Sequence, residues 1–316
     1  MRALITGFGF IGKHIGDKLM DKGIEVVAYD LNIDQELEER KPLLTILDRA
    51  DVCNEPYLKV VMLKCQPDYI IHCAAIAGID TVGQKPADTM EVNAIGTWNV
   101  LESAREHVPN LLRFVNFSTS EIYGAEAFRV AEDSPASIGP VGYSRWVYAA
   151  GKLAGEHMTK AFHTQYLMPT VTVRPFNVYG PGQIGDSAMK TFIENAIAGK
   201  PLVVKGGGDQ VRCWCYIDDF VEGIMSLLFK DSAIGETFNI GNEQAGEEIG
   251  ALAHMIVELT GSKSKIEYDY HGPADIRYRV PSIQKMKKMF VYAPSVSLEE
   301  GIKRTEEWIR SQDGES

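Results

Sequence analysis

The 316-residue sequence predicts an α/β fold in which a parallel sheet carries helices on both faces. Apolar segments of strand length alternate with segments of helical length, and a glycine-rich turn follows the first apolar segment. After Pro175 the elements become shorter and glycine-rich turns more frequent. We therefore expect a doubly wound domain over residues 1–174 and a smaller C-terminal α/β domain over 175–316, with part of 213–241 returning to the first.

The predicted elements of the first domain follow one another in regular order. The strand candidates are residues 3–6, 25–29, 69–72, 113–118 and 170–174, and the helix candidates are residues 12–22, 93–107 and 146–166. Strands that recur between helices in this way are buried on both faces of a parallel sheet. Such sheets bind their ligands at the carboxyl ends of the strands.

Composition argues against several classes of partner. The formal charge is −11 and the pI about 5.2, so nucleic acid is not an expected partner. No apolar run reaches about 18 residues and the chain enters a strand at once, so we expect no membrane partner and a cytoplasmic location. The five cysteines form no Cys-x-x-Cys pair, which predicts neither a disulfide framework nor a metal site.

A glycine-rich loop follows the first predicted strand. Gly7, Gly9 and Gly12 form a Gly-x-Gly-x-x-Gly turn at the start of the first helix. Such glycines let backbone N–H groups approach a pyrophosphate. Asp30 ends the second strand, where a carboxylate accepts the hydroxyls of an adenosine ribose and repels a 2′-phosphate. This Rossmann-type pattern predicts NAD, in preference to NADP, as the cofactor.

Tyr148 and Lys152 form a Tyr-x-x-x-Lys pair in a predicted helix. Side chains four residues apart share a helix face, so the ammonium is expected beside the phenol. A fixed cation favours the phenolate, and we therefore expect a lowered pKa for Tyr148. A phenol of this kind can remove a proton from a sugar hydroxyl. Because the spacing also arises by chance in helices, its weight depends on the other motifs.

Seven ordered motifs resemble those of the extended short-chain dehydrogenase/reductase family, in particular its nucleotide-sugar epimerases, dehydratases and decarboxylases. They are the glycine loop, His72-Cys-Ala-Ala75, Asn93-Ala-Ile-Gly-Thr97, Ser118-Thr-Ser-Glu-Ile-Tyr-Gly124, Tyr148 with Lys152, Arg174-Pro-Phe-Asn-Val-Tyr-Gly-Pro181, and Arg212 before Tyr216-Ile-Asp-Asp219. The similarity covers nearly the whole chain. The glycine loop is one residue shorter than the Gly-x-x-Gly-x-x-Gly usual in this family.

The resemblance implies that a bound NAD takes a hydride from C4 of the sugar while Tyr148 takes the hydroxyl proton. Thr119 is implied to bond the same oxygen, and Lys152 to hold the nicotinamide ribose as well. The residues predicted to hold the cofactor are Gly7, Gly9, Phe10, Ile11, Gly12, Asp30, Asp51, Val52, Ala74, Ala75, Asn93, Ser118, Tyr148, Lys152 and Pro175. The resemblance also implies a homodimer in which helices 93–107 and 146–166 form a four-helix bundle.

Three residues bear on the reaction that follows oxidation. Thr-Ser-Glu121 and Arg145-x-x-Tyr resemble patterns in UDP-glucuronate decarboxylases and in the UDP-apiose/UDP-xylose synthase group. Ser120 and Glu121 are predicted to assist acid–base chemistry at C5 and C6, although a capping role for Glu121 is an alternative. Arg145 is predicted to pair with a uronate carboxylate or to orient Glu121.

Three further residues are implied to bind the substrate. Asn177, Arg212 and Arg279 match positions that hold the nucleotide diphosphate, and protonation of the pentose carbon is an alternative role for Arg212. The best prediction is a UDP-glucuronate decarboxylase, followed by a nucleotide-sugar 4-epimerase and a 4,6-dehydratase. A regulatory module that binds NAD without turnover is disfavoured, because such a module has no need for a paired phenol and ammonium.

Overall fold

The computed structural model describes residues 1–33, 41–185, 187–270 and 276–313. The chain forms two compact units. Unit 1 comprises Met1–Ile122, Ile138–Arg174 and Val221–Phe238, and unit 2 comprises Tyr123–Ser137, Pro175–Phe220 and Asn239–Ser316. The change at 174/175 lies where the sequence suggests a boundary. Residues 123–137 belong to unit 2, whereas the sequence analysis places them in the first domain.

A seven-stranded sheet organises unit 1. Its strands, numbered in chain order through the whole molecule, are β1 (Arg2–Thr6), β2 (Glu25–Tyr29), β3 (Leu44–Leu47), β4 (Tyr69–His72), β5 (Arg113–Phe117), β7 (Thr170–Pro175) and β12 (Thr237–Ile240). The spatial order is β12-β7-β5-β4-β1-β2-β3, and each pairing from β7 to β3 is parallel. The winding reverses between β1 and β4, which confirms the predicted doubly wound fold.

The helices beside this sheet are of two kinds: longer ones that bury regularly spaced apolar residues, and short ones over 79–84 and 86–90 that contact the helix 145–166. They are α1 (Phe10–Asp21), α2 (Glu55–Cys65), α3 (Ile79–Gln84), α4 (Pro86–Met90), α5 (Thr97–His107), α6 (Arg145–Tyr166) and α8 (Ile217–Leu228). The sequence predicts one helix over 93–107, but Glu91–Gly96 forms a π-helix before α5 begins. Helix α6 packs closely against this π-helix at Gly151, where a Cβ would lie only 3.0 Å from Asn93 Cβ.

Three small sheets are seen in the part of unit 2 that the structure describes. Its strands are β6 (Glu126–Val130), β8 (Val178–Tyr179), β9 (Leu202–Lys205), β10 (Val211–Cys213), β11 (Cys215–Tyr216), β13 (Gly246–Glu248), β14 (Ile266–Asp269) and β15 (Tyr278–Pro281). The four-stranded sheet has the order β13-β10-β15-β6, while β11 pairs with β8 and β14 with β9. Among the described residues, the unit also contains the helices α7 (Ala188–Ile197), α9 (Ile249–Leu259), α10 (Gln284–Phe290) and α11 (Leu298–Asp313).

All five cysteines are free thiols. Within the described ranges, no three His, Cys, Asp or Glu side chains are grouped so that they could hold a metal ion. The helices of the same ranges are each too short or too polar to cross a membrane.

Candidate active site

Backbone contacts fix the shape of the glycine loop between β1 and α1. Gly7 has a φ of +83°, and a Cβ there would lie 2.3 Å from the backbone nitrogen of Ala74. A Cβ at Gly12 would lie 2.3 Å from the carbonyl oxygen of Gly7. Any larger residue at either position would push the loop open. The shorter loop therefore still makes a tight turn before α1, at whose start Phe10 and Ile11 lie.

Asp30 lies directly after β2 and contacts the glycine loop. Its Oδ2 accepts the backbone N–H of Phe8 at 2.6 Å, and its Oδ1 accepts that of Asn32 at 3.1 Å. A carboxylate has about four acceptor positions, so capacity remains for the two hydroxyls of a ribose. The position suits the predicted role in NAD binding.

Asp51 and Val52 follow β3 and differ in their surroundings. Asp51 Oδ1 accepts the N–H of Cys53 at 2.8 Å, and the Asp51 carbonyl accepts the hydroxyl of Tyr29 at 2.7 Å. The Val52 side chain is buried against Gly96, where a Cβ would come within 2.6 Å of Val52 Cγ2. Contact with the cofactor remains a prediction for both residues.

Asn93 lies buried in the π-helix and holds the loop that follows β4. Its Nδ2 donates to the carbonyl of Ile76 at 3.0 Å, and its Oδ1 accepts the N–H of Ile76 at 2.9 Å. Ala74 and Ala75 lie in this loop and are half-buried. The amide of Asn93 therefore shapes a loop that is itself predicted to contact the cofactor.

Ser118 gives the clearest sign that a ligand belongs here. Its hydroxyl oxygen is buried at the end of β5 and makes no hydrogen bond within the described residues. Buried hydroxyls nearly always have a partner, so a polar ligand or an ordered water fits at this position. Together with the glycine loop and Asp30, Ser118 makes this edge of unit 1 suitable for NAD.

Tyr148 lies in the first turns of α6, beside Thr119 and Glu121. The Thr119 hydroxyl accepts the backbone N–H of Glu121 at 3.1 Å, so its own proton is available to the phenol oxygen. Burial raises the pKa of Tyr148, the charge of Glu121 raises it further, and the Thr119 bond opposes both. The expectation that Lys152 lowers this pKa is wrong for the protein alone, because burial dominates and Lys152 makes no contribution.

Lys152 is buried one turn after Tyr148. Burial lowers its pKa to about 8, and the neighbouring Cys73 thiol acts in the opposite direction. No carboxylate forms an ion pair with Lys152 within the described parts of the chain. An ammonium that is easily deprotonated and has no fixed counter-ion is typical of a functional lysine.

Ser120 and Arg145 lie near this group in the chain. Ser120 is buried at the start of the 3₁₀ turn Ser120–Tyr123. Arg145 is the first residue of α6, and its guanidinium carbon lies 5.1 Å from the ring centroid of Trp146. This stacking orients the guanidinium three residues before Tyr148.

The predicted substrate residues Asn177, Arg212 and Arg279 lie in unit 2. Asn177 follows the end of β7 at Pro175, whereas Arg212 and Arg279 lie on strands of the four-stranded sheet. Arg212 and Arg279 are register partners on β10 and β15, so both side chains share one face of that sheet. Arg212 Nη2 donates to the carbonyl of Ile276 at 2.8 Å. Asn177 Nδ2 donates to the carbonyl of Cys213 at 2.8 Å. Arginine is a residue type suited to an anionic ligand, and binding of the diphosphate by Arg212 and Arg279 stays a prediction.

Sequence reasoning missed one buried pair on α6. Arg174 donates to both carboxylate oxygens of Glu156, at 2.9 and 2.7 Å, and joins β7 to α6. Both side chains are about nine-tenths buried. The position of Glu156, four residues after Lys152, predicts that it shares the helix face of Lys152. The sequence does not show that its partner is Arg174.

Comparison with known proteins identifies the family. The profile of the NAD dependent epimerase/dehydratase family matches residues 3–241. The chain belongs to this family. This match confirms the predicted class of NAD-dependent nucleotide-sugar epimerases, dehydratases and decarboxylases, and with it NAD as the cofactor.

Curated relatives and solved structures within this family carry several activities. A UDP-N-acetyl-alpha-D-glucosaminuronate decarboxylase from Bacillus cytotoxicus is 35% identical over 98% of each chain. The dTDP-glucose 4,6-dehydratase 1 of Escherichia coli is 28% identical over 98% of this chain and 93% of that protein. A UDP-glucuronic acid 4-epimerase from Bacillus cereus, solved with UDP-glucuronic acid and NAD, has a TM-score of 0.88 at 28% identity and covers 99% of this chain and 100% of that chain.

Proposed function

We propose that this protein decarboxylates a UDP-linked hexuronate, and that UDP-glucuronate is the first substrate to test. The observation that carries the proposal is the grouping of Thr119, Tyr148 and Glu121. Tyr148 and Thr119 supply a base and a hydrogen-bond donor for the C4 hydroxyl, and Glu121 adds a second titratable group close enough to raise the pKa of Tyr148. An enzyme that only oxidises and reduces C4 needs no such acid.

An NAD held by the glycine loop, Asp30 and Lys152 would supply the hydride acceptor for oxidation at C4 and the hydride for the later reduction. Tyr148 removes the C4 hydroxyl proton, and Thr119 donates to the same oxygen. The resulting 4-keto group is β to the C6 carboxylate, so the electrons of the C5–C6 bond move into the carbonyl as carbon dioxide leaves. A proton taken from water reaches C5 of the enolate through Glu121, and Tyr148 returns its proton to the C4 oxygen on reduction.

Arginines are assigned to the two anionic parts of the substrate. Arg145, oriented by Trp146, recognises the C6 carboxylate, and Arg212 and Arg279 bind the diphosphate. Two relatives support a uronate substrate, since the Bacillus cytotoxicus decarboxylase and the Bacillus cereus 4-epimerase are both named for uronic acid sugars.

A panel of substrates tests the proposal. The protein is incubated with UDP-glucuronate, UDP-N-acetylglucosaminuronate, UDP-glucose, UDP-N-acetylglucosamine and GDP-mannose, and products are identified by mass spectrometry and NMR. We expect loss of carbon dioxide from a uronate and no reaction with the neutral sugars. Loss of water from a neutral sugar would instead establish a 4,6-dehydratase.

The second candidate is 4-epimerisation of the same uronate, which the likeness to the Bacillus cereus epimerase favours. In that case the mass is unchanged and the ring couplings at C4 invert. Glu121→Gln separates the two reactions, because epimerisation does not need a proton at C5. The variant should halt carbon dioxide release if the protein is a decarboxylase and leave turnover nearly intact if it is an epimerase.

Arg145→Ala tests recognition of the carboxylate. We expect weaker binding of UDP-glucuronate with little change for UDP-glucose, because only the uronate loses a charged partner. Arg129→Ala is the matched control, since Arg129 also stacks on the ring of a chain neighbour, Phe128, at 5.6 Å. Equal losses for both sugars would make Arg145 a structural residue.

We also propose a cytoplasmic homodimer formed through the helices 93–107 and 146–166. Ile95, Trp98 and Tyr166 are each about half exposed on them, and Trp98 and Tyr166 pack edge-on against Phe162. Light scattering should give a dimer for the wild type and a monomer for Trp98→Glu. Leu63→Glu, on exposed α2 surface, should stay dimeric. A monomeric wild type would contradict the proposal.

A further inference from the structure

A chain of buried hydrogen bonds links the ends of β1 and β4 to α5. Thr6 Oγ1 lies 2.7 Å from His72 Nδ1, and His72 Nε2 lies 2.9 Å from Thr97 Oγ1. The Thr97 hydroxyl then donates to the carbonyl of Asn93 at 2.8 Å. All four residues are at most 1% exposed. The positions of the protons are therefore set by the partners and not by bulk water.

The chain of bonds fixes the tautomer of His72. A carbonyl oxygen only accepts, so the single proton of the Thr97 hydroxyl goes to Asn93 and the Thr97 oxygen accepts from His72 Nε2. Nε2 therefore carries the ring proton, and Nδ1 accepts from the hydroxyl of Thr6. Burial, and after it the charge of Lys152, lower the pKa of His72 to about 3, which keeps the ring neutral.

The same residues hold the two loops that are assigned to the cofactor. Thr6 precedes Gly7, and the backbone of Ala74 lies against Gly7 two residues after His72. At the other end of this series of hydrogen bonds, Asn93 makes two hydrogen bonds to Ile76. Movement of His72 would therefore shift both loops relative to each other.

The charge beside His72 matters as well. Within the described residues, the titratable groups that act on this region are Lys152 on α6, the Cys73 thiol and Asp30 after β2. A cationic imidazole would face the ammonium of Lys152 in a buried environment, where like charges repel strongly. A neutral ring avoids this conflict and still donates one hydrogen bond and accepts another.

We propose that His72 is a positioning residue, which as the neutral Nε2–H tautomer joins the glycine loop to the loop after β4 and adds no second positive charge beside Lys152. The proposal rests on the assignment of these loops to NAD binding. It does not depend on which sugar is the substrate or on the outcome at C5.

NAD affinity, measured by calorimetry, is the first test. His72→Phe and Thr97→Val each remove two buried hydrogen bonds, and each should weaken NAD by at least about tenfold, which corresponds to about 1.4 kcal/mol. His72→Gln should recover most of the affinity, because its amide can still donate to Thr97. Thr305→Val is the control, since the Thr305 hydroxyl is equally buried and donates to Gly301 at 2.7 Å in α11. Unchanged affinity in His72→Phe would overturn the proposal.

Nitrogen-15 NMR of the wild-type imidazoles is the second test, and it needs neither variants nor substrate. We expect His72 to show the neutral Nε2–H pattern throughout the neutral pH range. An Nδ1–H pattern, or titration near the ordinary value for histidine, would overturn the proposal. If these results hold while no uronate is decarboxylated, the proposed function fails and the role of His72 stands.

Discussion

Lys152 and Glu156 lie one turn apart on the buried face of α6, but they differ in whether an oppositely charged side chain contacts them. Glu156 receives two hydrogen bonds from Arg174, while Lys152 has no carboxylate partner within the described residues and a pKa lowered to about 8 by burial. A buried charge without a partner destabilises a fold. We therefore expect the first turns of α6 to serve chemistry and ligand binding, whereas Glu156 in the later turns joins the helix to β7 through Arg174.

The largest effect is expected at Tyr148, in the first turns. Tyr148→Phe removes the base and should lower turnover by about two to four orders of magnitude, the usual contribution of positioned acid–base catalysis. NAD should remain bound, which the absorbance of the purified protein shows. Tyr166→Phe, at the exposed end of the same helix, should retain full activity. Near-normal turnover in Tyr148→Phe would rule out Tyr148 as the base.

In the later turns we expect a large loss of stability. Glu156→Gln removes a buried carboxylate that accepts two hydrogen bonds from Arg174, and breaking such a buried pair typically costs about 3–5 kcal/mol in the free energy of unfolding. Urea denaturation measures this value. The double variant Glu156→Leu/Arg174→Met removes both charges and should recover most of the loss. If the single variant is as stable as the wild type, the pair does not anchor α6.

Lys152→Met should raise the free energy of unfolding, whereas Glu156→Gln should lower it. The difference between the usual lysine pKa of 10.5 and about 8 corresponds to about 3 kcal/mol of destabilisation, at about 1.36 kcal/mol per pKa unit. The variant should therefore unfold at higher temperature than the wild type at neutral pH, although it should also turn over more slowly and bind NAD more weakly. A variant less stable than the wild type at neutral pH would show that Lys152 has a stabilising partner.

The pH dependence of this difference follows from linkage. Below about pH 8 Lys152 is protonated in both the folded and the unfolded state, so the full penalty is present. Between about 8 and 10.5 only the unfolded chain keeps the proton, so the wild type gains stability as the pH rises. The advantage of Lys152→Met should shrink across this window. A constant difference would mean that the pKa of Lys152 is not lowered.

The smallest effect is expected at Asp30. Asp30→Asn should weaken NAD about tenfold, because a charge-assisted hydrogen bond to the ribose is lost. The preference for NAD over NADP should narrow at the same time, since the charge that repels a 2′-phosphate is gone. Titration of both cofactors checks this. A wild type that already prefers NADP would contradict the assignment.

The sequence predicts the parallel sheet well because apolar strands buried on both faces leave a strong local pattern. It does not predict that residues 123–137 belong to unit 2, since β6 is placed by pairing with β15, in which Glu126 lies opposite Tyr278. No local signal marks a contact so distant in the chain. Likewise, the spacing of Tyr148 and Lys152 indicates a shared helix face but not burial, and burial decides the pKa of Tyr148.

Isotope tracing with one substrate tests the central claim most directly. UDP-glucuronate labelled with carbon-13 at C6 is converted by the NAD-loaded protein in heavy water, and gas and nucleotide-sugar products are analysed by mass spectrometry and NMR. The proposed chemistry, with Tyr148 as the base at C4 and a proton delivered to C5, predicts labelled carbon dioxide and a pentose product with one deuteron at C5. A labelled hexuronate with no deuteron at C5 and an inverted C4 would contradict it.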